Sequence, residues 1–305
     1  MTQPNFFIVG APKCGTTAVC EYLRSHPQVF MCTPKEPHYF ATDFPRYRVV
    51  TGWDDYLGLF SAQPHQTIVG EASVFYLYSE VALSLIRQKL PASRLLVMLR
   101  NPVELAVSMH AQAFHTGDEN QKDYFKAWKL CEERRAGLKI PRTCRDRKVL
   151  FYDEISLLGR QLDRALSLFP HEQVMWCFLE DLATDTLGVY NQILLFLELE
   201  RVSHRDFPRI NQRKKVHSGT LTRFVHAPPP VLRNMAMHLK EILGIERWGV
   251  LDFLDTVNTA GTMKPAKLPT RLREKMIERF EPDIRLLEKL TKRNLSHWIT
   301  GDASL

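Results

Sequence analysis

The chain has 305 residues, 45% hydrophobic and 25% charged, a balance that excludes disordered and collagen-like classes and is enough to bury a large core. Lys and Arg outnumber Asp and Glu by 41 to 34, a formal charge of +7. That excess favours anionic partners (nucleotide, polyanion, nucleic acid, acidic lipid) without choosing among them.

No apolar run approaches the ~20 residues that span a bilayer, and no charged stretch leads into an apolar one at the N-terminus. A cytoplasmic location with no membrane partner is therefore expected. The six cysteines, at positions 14, 20, 32, 131, 144 and 177, form no CxxC pair and no zinc-finger spacing. They read as reduced thiols, with Cys20 and Cys177 in apolar contexts that predict burial.

In chain order, residues 5–9 (NFFIV) predict a buried strand ending at Gly10. A loop over 11–15 follows, then a helix opened by Thr16 or Thr17 and stopped by Pro27. Strands are predicted at 67–70, 94–99 and 173–178, and helices at 79–89, 103–113, 157–168 and 184–197. Pro102 suits the first position of the second of these helices. The alternation predicts an α/β fold of three layers, a central parallel sheet with helices on both faces, in a single domain over 1–305. Residues 208–218 read as a basic loop, 228–230 as a stiff proline connector, and 269–290 as a helix. Leu272, Met276, Phe280 and Leu287 give that helix its apolar face, and Pro282 predicts a break in it. No repeat is visible.

The turn from the first strand into the first helix, Gly10-Ala-Pro-Lys13-Cys14-Gly15-Thr16-Thr17, has what a phosphate cradle needs. It offers amides at a helix N-terminus, a glycine where the anion must approach, a cation and two hydroxyls. It is not the NTPase loop, which sets its Lys directly after the second Gly. Here Thr16 stands there, and the Lys comes two residues before Gly15. A second element, Arg100-Asn-Pro followed by Ser108, puts an Arg at a strand's carboxyl end and a Ser two helical turns on. That edge is where open α/β sheets bind ligands.

The PKCGTT loop resembles the PKSGTT-type loop of sulfotransferases that use 3′-phosphoadenosine 5′-phosphosulfate (PAPS), and Arg100 with Ser108 resembles the family's RNP…S element. The resemblance covers nearly the whole chain and implies a P-loop-like fold. It also implies sulfuryl transfer from PAPS to a hydroxyl or amine, with release of the desulfated product PAP and no metal. Lys13, Cys14, Gly15, Thr16 and Thr17 would hold the 5′-phosphosulfate, and Arg100 and Ser108 the 3′-phosphate. Arg213 and Lys214, in the basic loop, would cover the nucleotide, and residues 114–148 would form an insertion near the acceptor.

Lys35-Glu36-Pro-His38-Tyr39-Phe40 is similar to the KEPHFF-type segment of the heparan-sulfate branch, in which the Glu is the general base. Glu36 is the matching residue, with Lys35 and His38 placed to orient it or to bind acceptor. Glu71, in Gly70-Glu-Ala-Ser73, is the rival base and a candidate substrate contact. It matches the family's EKS segment with Ala72 in place of the Lys. The acid often found five places after the base is Ala41 here. Both departures weaken the case for a heparan-type acceptor and leave a small molecule or another carbohydrate. His110 is an auxiliary candidate for catalysis. Two other functions stay open. A P-loop small-molecule kinase would need a Lys after Gly15. A non-catalytic polyanion binder suits the charge, although no RNA-binding aromatic motif or recognition helix points to nucleic acid.

Overall fold

The structure is a computed structural model and describes residues 2–208, 214–216, 259–262 and 268–300. Five parallel strands form its main sheet in the order β2-β3-β1-β4-β5. They are β1 (Phe6–Gly10), β2 (Val29–Met31), β3 (Ile68–Ala72), β4 (Arg94–Leu99) and β5 (Val174–Phe178). β1 is central, with Phe6 opposite Gly70 on one side and Arg94 on the other. Its five residues are all buried, as are Leu95 to Leu99. Continuous apolar runs of this kind are what a strand covered on both faces requires.

The first crossover, through α1 (Thr16–Arg24), leads from β1 to β2 at the edge. The chain returns through α2 (Trp53–Leu57) to β3, then passes through α3 (Ala82–Lys89) to β4 on the other side of β1. The loops leaving β1 and β4 therefore turn away from each other, which makes the crevice at their carboxyl ends the switch point where such sheets bind ligands. β2 and α2 escape sequence reading because three and five residues carry too little periodicity. α3 starts later than position 79 because the Ser79 hydroxyl accepts from the amides of Val81 and Ala82 and forms a turn ahead of the helix.

α4 (Pro102–Thr116) is capped by Asn101, whose Oδ1 accepts from the Val103 amide at 3.0 Å. Two short helices follow, α5 (Tyr124–Lys129) and α6 (Cys131–Arg135), then a 3₁₀ turn at Arg147–Leu150 and α7 (Tyr152–Ile155) and α8 (Leu158–Leu168). The helix expected over 184–197 is α10 (Thr186–Phe196), preceded by a separate α9 (Leu179–Thr184). Asp185 divides them, because its carboxylate accepts from the Gly188 amide and caps α10.

α11 (Thr270–Thr291) is continuous, which corrects the break expected at Pro282. Leu272, Met276, Phe280, Ile284 and Leu287 are buried on both sides of the proline, so packing outweighs the single backbone hydrogen bond the ring removes. The next residue, Asp283, accepts from the amides of Gly159 and Arg160 at 2.7 and 2.9 Å, which pins α11 to the first turn of α8. α12 (Ser296–Thr300) closes the described chain.

β6 (Lys214–Val216) pairs antiparallel with β7 (Thr259–Thr262), so part of the expected basic loop is a strand. Arg213 and the prolines at 228–230 lie outside the described residues, as does the side chain of Lys214.

The chain groups into two compact units. One comprises Met1–Ala106, Asp153–Ile210 and Arg273–Leu305, and the other Val107–Tyr152 and Asn211–Leu272. The first holds the five-stranded sheet. The second contains a fully buried ion pair in which Arg134 grips both oxygens of Glu119 at 2.6 and 2.7 Å. Tyr152 donates to the same carboxylate at 2.7 Å. All six cysteines are buried and free, in agreement with the reading of Cys20 and Cys177. No helix among the described residues is long and apolar enough to cross a membrane.

Candidate active site

The loop after β1 leaves from between two strands, since the Ala11 amide still donates to Met98 of β4 at 2.9 Å. Three of its residues have positive φ: Gly10 at 131°, Lys13 at 61° and Gly15 at 88°. A Cβ on Gly10 would lie 2.4 Å from the Val74 carbonyl oxygen, so only glycine fits there. Gly15 is the N-cap of α1, where no side chain caps the helix and no acidic residue sits in the first turn. The first amides of α1 thus present an uncompensated positive end. Lys13 is exposed, Thr16 buried and Thr17 half-buried beside it. Burial pushes the Cys14 thiol up to about 12, against the pull of Arg100 and Lys13. Cys14 is therefore a neutral thiol that contributes its backbone to the loop.

Arg100 follows β4 and reaches across to that loop. Its Nη1 donates to the Lys13 carbonyl at 3.0 Å, and its Nη2 to Glu104 at 2.9 Å. Its Nε is buried and has no partner among the described residues. The two sequence motifs, 87 residues apart, meet at the switch point. The arrangement fits an anion: a guanidinium with a spare buried donor, a lysine and an uncapped helix N-terminus stand together.

Ser108 and His110 are both buried on α4 and belong to the second unit. The His110 Nε2 lies 2.7 Å from the Gln121 carbonyl oxygen, and the ring packs edge-on against Tyr124 and Tyr152. Burial lowers its pKa. Its ring is engaged in the packing of that unit.

Lys35, Glu36 and His38 do come together. Lys35 Nζ donates to one oxygen of Glu36 at 2.9 Å, and His38 Nε2 lies 2.8 Å from the other. With Glu36 ionised, that contact requires the His38 proton on Nε2. Burial opposes ionisation of Glu36, but the His38 hydrogen bond and the Lys35 charge outweigh it and hold the carboxyl down to about 2. The Glu36 side chain is 24% exposed and remains open to solvent. His38 is buried, with its ring stacked on Phe75 at 5.1 Å.

Glu71 differs in every respect. It is 1% exposed at the end of β3, and its oxygens accept from the Tyr56 hydroxyl at 2.9 Å and the Ser73 hydroxyl at 3.1 Å. Burial raises its pKa to about 7, partly offset by hydrogen bonds from Tyr76, Tyr56 and Ser73, while the Glu36 charge raises it further. Ala72 and Ala41 are both buried and present no charge to an acceptor. Ser73 lies in a motif the sequence displays, but nothing in the sequence singles out Tyr56 or Tyr76. Tyr56 lies in α2 and Tyr76 in the turns after β3, and only folding brings both to one carboxylate.

Among the described residues no group of His, Cys, Asp and Glu is arranged to hold a metal ion. Residues 3–217 match the sulfotransferase domain family. Carbohydrate sulfotransferase 15 from Homo sapiens is 27% identical over 252 residues, covering 66% of this chain and 45% of its own length. Heparan sulfate glucosamine 3-O-sulfotransferase 6 from Mus musculus is 31% identical over 199 residues, covering 65% of this chain and 53% of its own length. The chain thus spans about half the length of the curated relatives it matches. The solved structure of a sulfotransferase from Alicyclobacillus acidocaldarius is similar over 98% of this chain and 99% of its own, with a TM-score of 0.72 and 25% identity.

Proposed function

The chain belongs to the sulfotransferase domain family, and from that premise we propose that it transfers a sulfuryl group from PAPS to an acceptor hydroxyl or amine and releases PAP. The observation that carries the reading is the hydrogen bond from Arg100 to the Lys13 carbonyl, which joins both anion-binding motifs at one sheet edge. On this reading Lys13, the amides from Cys14 to Thr17 and the Thr16 and Thr17 hydroxyls hold the 5′-phosphosulfate. Arg100 takes the 3′-phosphate. Sequence resemblance adds Ser108, Arg213 and Lys214 to the nucleotide side.

The acceptor oxygen or nitrogen attacks sulfur and forms the new bond to it. The bond between sulfur and the bridging phosphate oxygen breaks, and its electron pair stays on PAP. Lys13 and the α1 amides stabilise that growing charge, preorganised and without metal. The acceptor proton passes to Glu36, whose open carboxylate favours it over Glu71, with both oxygens facing protein hydroxyls. Lys35 and His38 orient Glu36, and His110 serves in packing. The acceptor belongs to the small-molecule or carbohydrate class. The buried free cysteines suit a reducing compartment such as the cytoplasm.

Calorimetric titration with PAP, 5′-AMP and ATP–Mg²⁺, together with transfer of labelled sulfate from PAPS to an acceptor panel, tests the reading. Tight PAP binding, much weaker 5′-AMP binding and labelled product are expected. If ATP–Mg²⁺ bound best, the kinase reading would replace it. Binding indifferent to PAP and steeply weakened by salt would leave a polyanion binder.

A further inference from the structure

Glu71 is too enclosed to meet an acceptor, yet it receives three hydroxyl donors, from Tyr56, Ser73 and Tyr76. Two of those hydroxyls have a second partner. The Ser73 Oγ accepts from the His38 amide at 3.0 Å, and the Tyr76 hydroxyl accepts from the Phe40 amide at 3.2 Å. His38 and Phe40 lie two residues apart in the segment that carries Glu36, and that segment is outside the sheet. Side-chain hydroxyls thus take the place of a neighbouring strand.

A hydroxyl has one proton. While Glu71 accepts the protons of Ser73 and Tyr76, their lone pairs are left to face the two amides. The carboxylate therefore sets the direction of both links. Ser73 is itself fixed to the central strand, since its amide donates to Ile8 at 3.1 Å. The segment needs such a hold: His38 has φ 52°, an uncommon conformation for a residue with a side chain, and its ring supplies the hydrogen bond to Glu36.

We infer that Glu71 is a positioning residue, which acts through Ser73 and Tyr76 on the 35–40 segment and so fixes Glu36 for proton transfer. The inference rests on the sulfuryl-transfer reading for its consequence in catalysis, but the arrangement itself can be tested without acceptor. Protonated Glu71 would bring a donor of its own against three hydroxyl donors and force at least one to turn. The groups that face Glu71 are Tyr56 of α2, Ser73 and Tyr76 after β3, Cys32 after β2, and Glu36. With Glu71 at about 7 and Glu36 far below, only Glu71 among the two carboxyls changes charge near neutrality.

The experiment compares wild type with Glu71→Gln, Ser73→Ala and Ser73→Thr, using transfer kinetics, PAP calorimetry and carbon-13 NMR of the Glu36 carboxyl. Glu71→Gln and Ser73→Ala should each lower kcat roughly tenfold, below the ~10²–10⁴-fold loss of a proton-transfer group, with PAP affinity unchanged. Ser73→Thr, which keeps the hydroxyl, should restore most of the rate. In Glu71→Gln the decline of kcat as pH falls through about 7 should vanish. In both disabling variants the Glu36 carboxyl should titrate at higher pH than in wild type. The inference is overturned if the Glu36 titration is unmoved in folded Glu71→Gln and Ser73→Ala. It is equally overturned if Glu71→Gln costs as much as Glu36→Gln, which would make Glu71 the base. If wild type neither binds PAP nor transfers sulfate, the sulfotransferase reading fails, while the Glu36 titration still decides the arrangement.

Discussion

Arg100 and Lys13 are 87 residues apart in the chain, and a 3.0 Å hydrogen bond from the Arg100 guanidinium to the Lys13 carbonyl joins them in the fold. Each residue closes a strand-to-helix turn on neighbouring strands, β4 and β1. The bond holds the buried Nε of the arginine, which has no partner among the described residues, at the same edge as the lysine and the N-terminal end of α1.

Replacing Arg100 by Ala removes a charged donor from that edge. Hydrogen bonds to charged groups are worth about 1.5–3 kcal/mol. PAP affinity should therefore fall roughly ten- to a hundredfold by calorimetry, with 5′-AMP affinity little changed. Equal losses for the two ligands would remove Arg100 from the 3′-phosphate site. Arg100→Lys should recover only part of the difference, because an ammonium cannot serve the Lys13 carbonyl, Glu104 and a phosphate with one planar fork.

Lys13→Ala tests the leaving-group side. Loss of one preorganised donor to a developing oxyanion costs about 3–4 kcal/mol of barrier, roughly 10²–10³ in kcat. Single-turnover transfer from labelled PAPS measures it directly. A fall in affinity with kcat intact would make Lys13 a ground-state binding residue.

Glu36→Gln keeps the shape of the side chain and removes its basicity. A loss of ~10²–10⁴-fold in kcat is expected, with PAP affinity unchanged. The Lys35 and His38 contacts keep the Glu36 pKa near 2, so the wild-type rate should show no titration of this group across the neutral range. A kcat within a few-fold of wild type would exclude Glu36 as the proton acceptor.

The two carboxyls also shape stability, with opposite signs. Folded Glu71 keeps its proton up to about pH 7, whereas the unfolded chain loses it near 4.5. Between those values the folded state binds more protons, so stability falls as pH rises through the window and levels off above it. Glu36 contributes stability that is present above the unfolded value of 4.5 and lost as pH falls through about 2. Thermal unfolding followed against pH should show the decline between 4.5 and about 7 in wild type and not in Glu71→Gln. An unchanged slope would assign the decline to another group.

Arg134→Met probes the second unit. It would strand the buried Glu119 carboxylate with Tyr152 and the amides of Asn120 and Gln121 as its remaining hydrogen-bond partners among the described residues. Breaking a buried pair by removing one partner costs about 3–5 kcal/mol, read as a lower denaturation midpoint. The double variant Glu119→Leu, Arg134→Met should recover much of that loss, since it leaves no unpaired charge. A single-variant midpoint equal to wild type would contradict the burial of the pair.

Four of the five parallel strands could be read from the sequence, because a strand buried on both faces is written as an unbroken apolar run. The phosphate loop was legible for a different reason: a glycine, a lysine and two threonines between a strand and a helix are a local pattern with a local function. Arg100, Glu36 and Glu71 were visible as chemical types at strand ends or in a short motif. The three-residue β2, the division at Asp185 and the continuity of α11 through Pro282 were not visible. β2 depends on a neighbouring strand distant in sequence and α11 on packing that overrides a local rule, whereas the division at Asp185 is a local cap on the Gly188 amide inside one continuous amphipathic stretch. The same limit divides the two carboxylates. Both were candidates for the same proton; the lysine and histidine beside Glu36 stand next to it in the sequence, but only tertiary structure left Glu36 open to solvent and closed Glu71 in a shell of hydroxyls. A carboxyl's pKa and reach are set by what surrounds it, and the surroundings of these two come from three separate stretches of chain, at 35–38, 56 and 71–76, that only folding brings together.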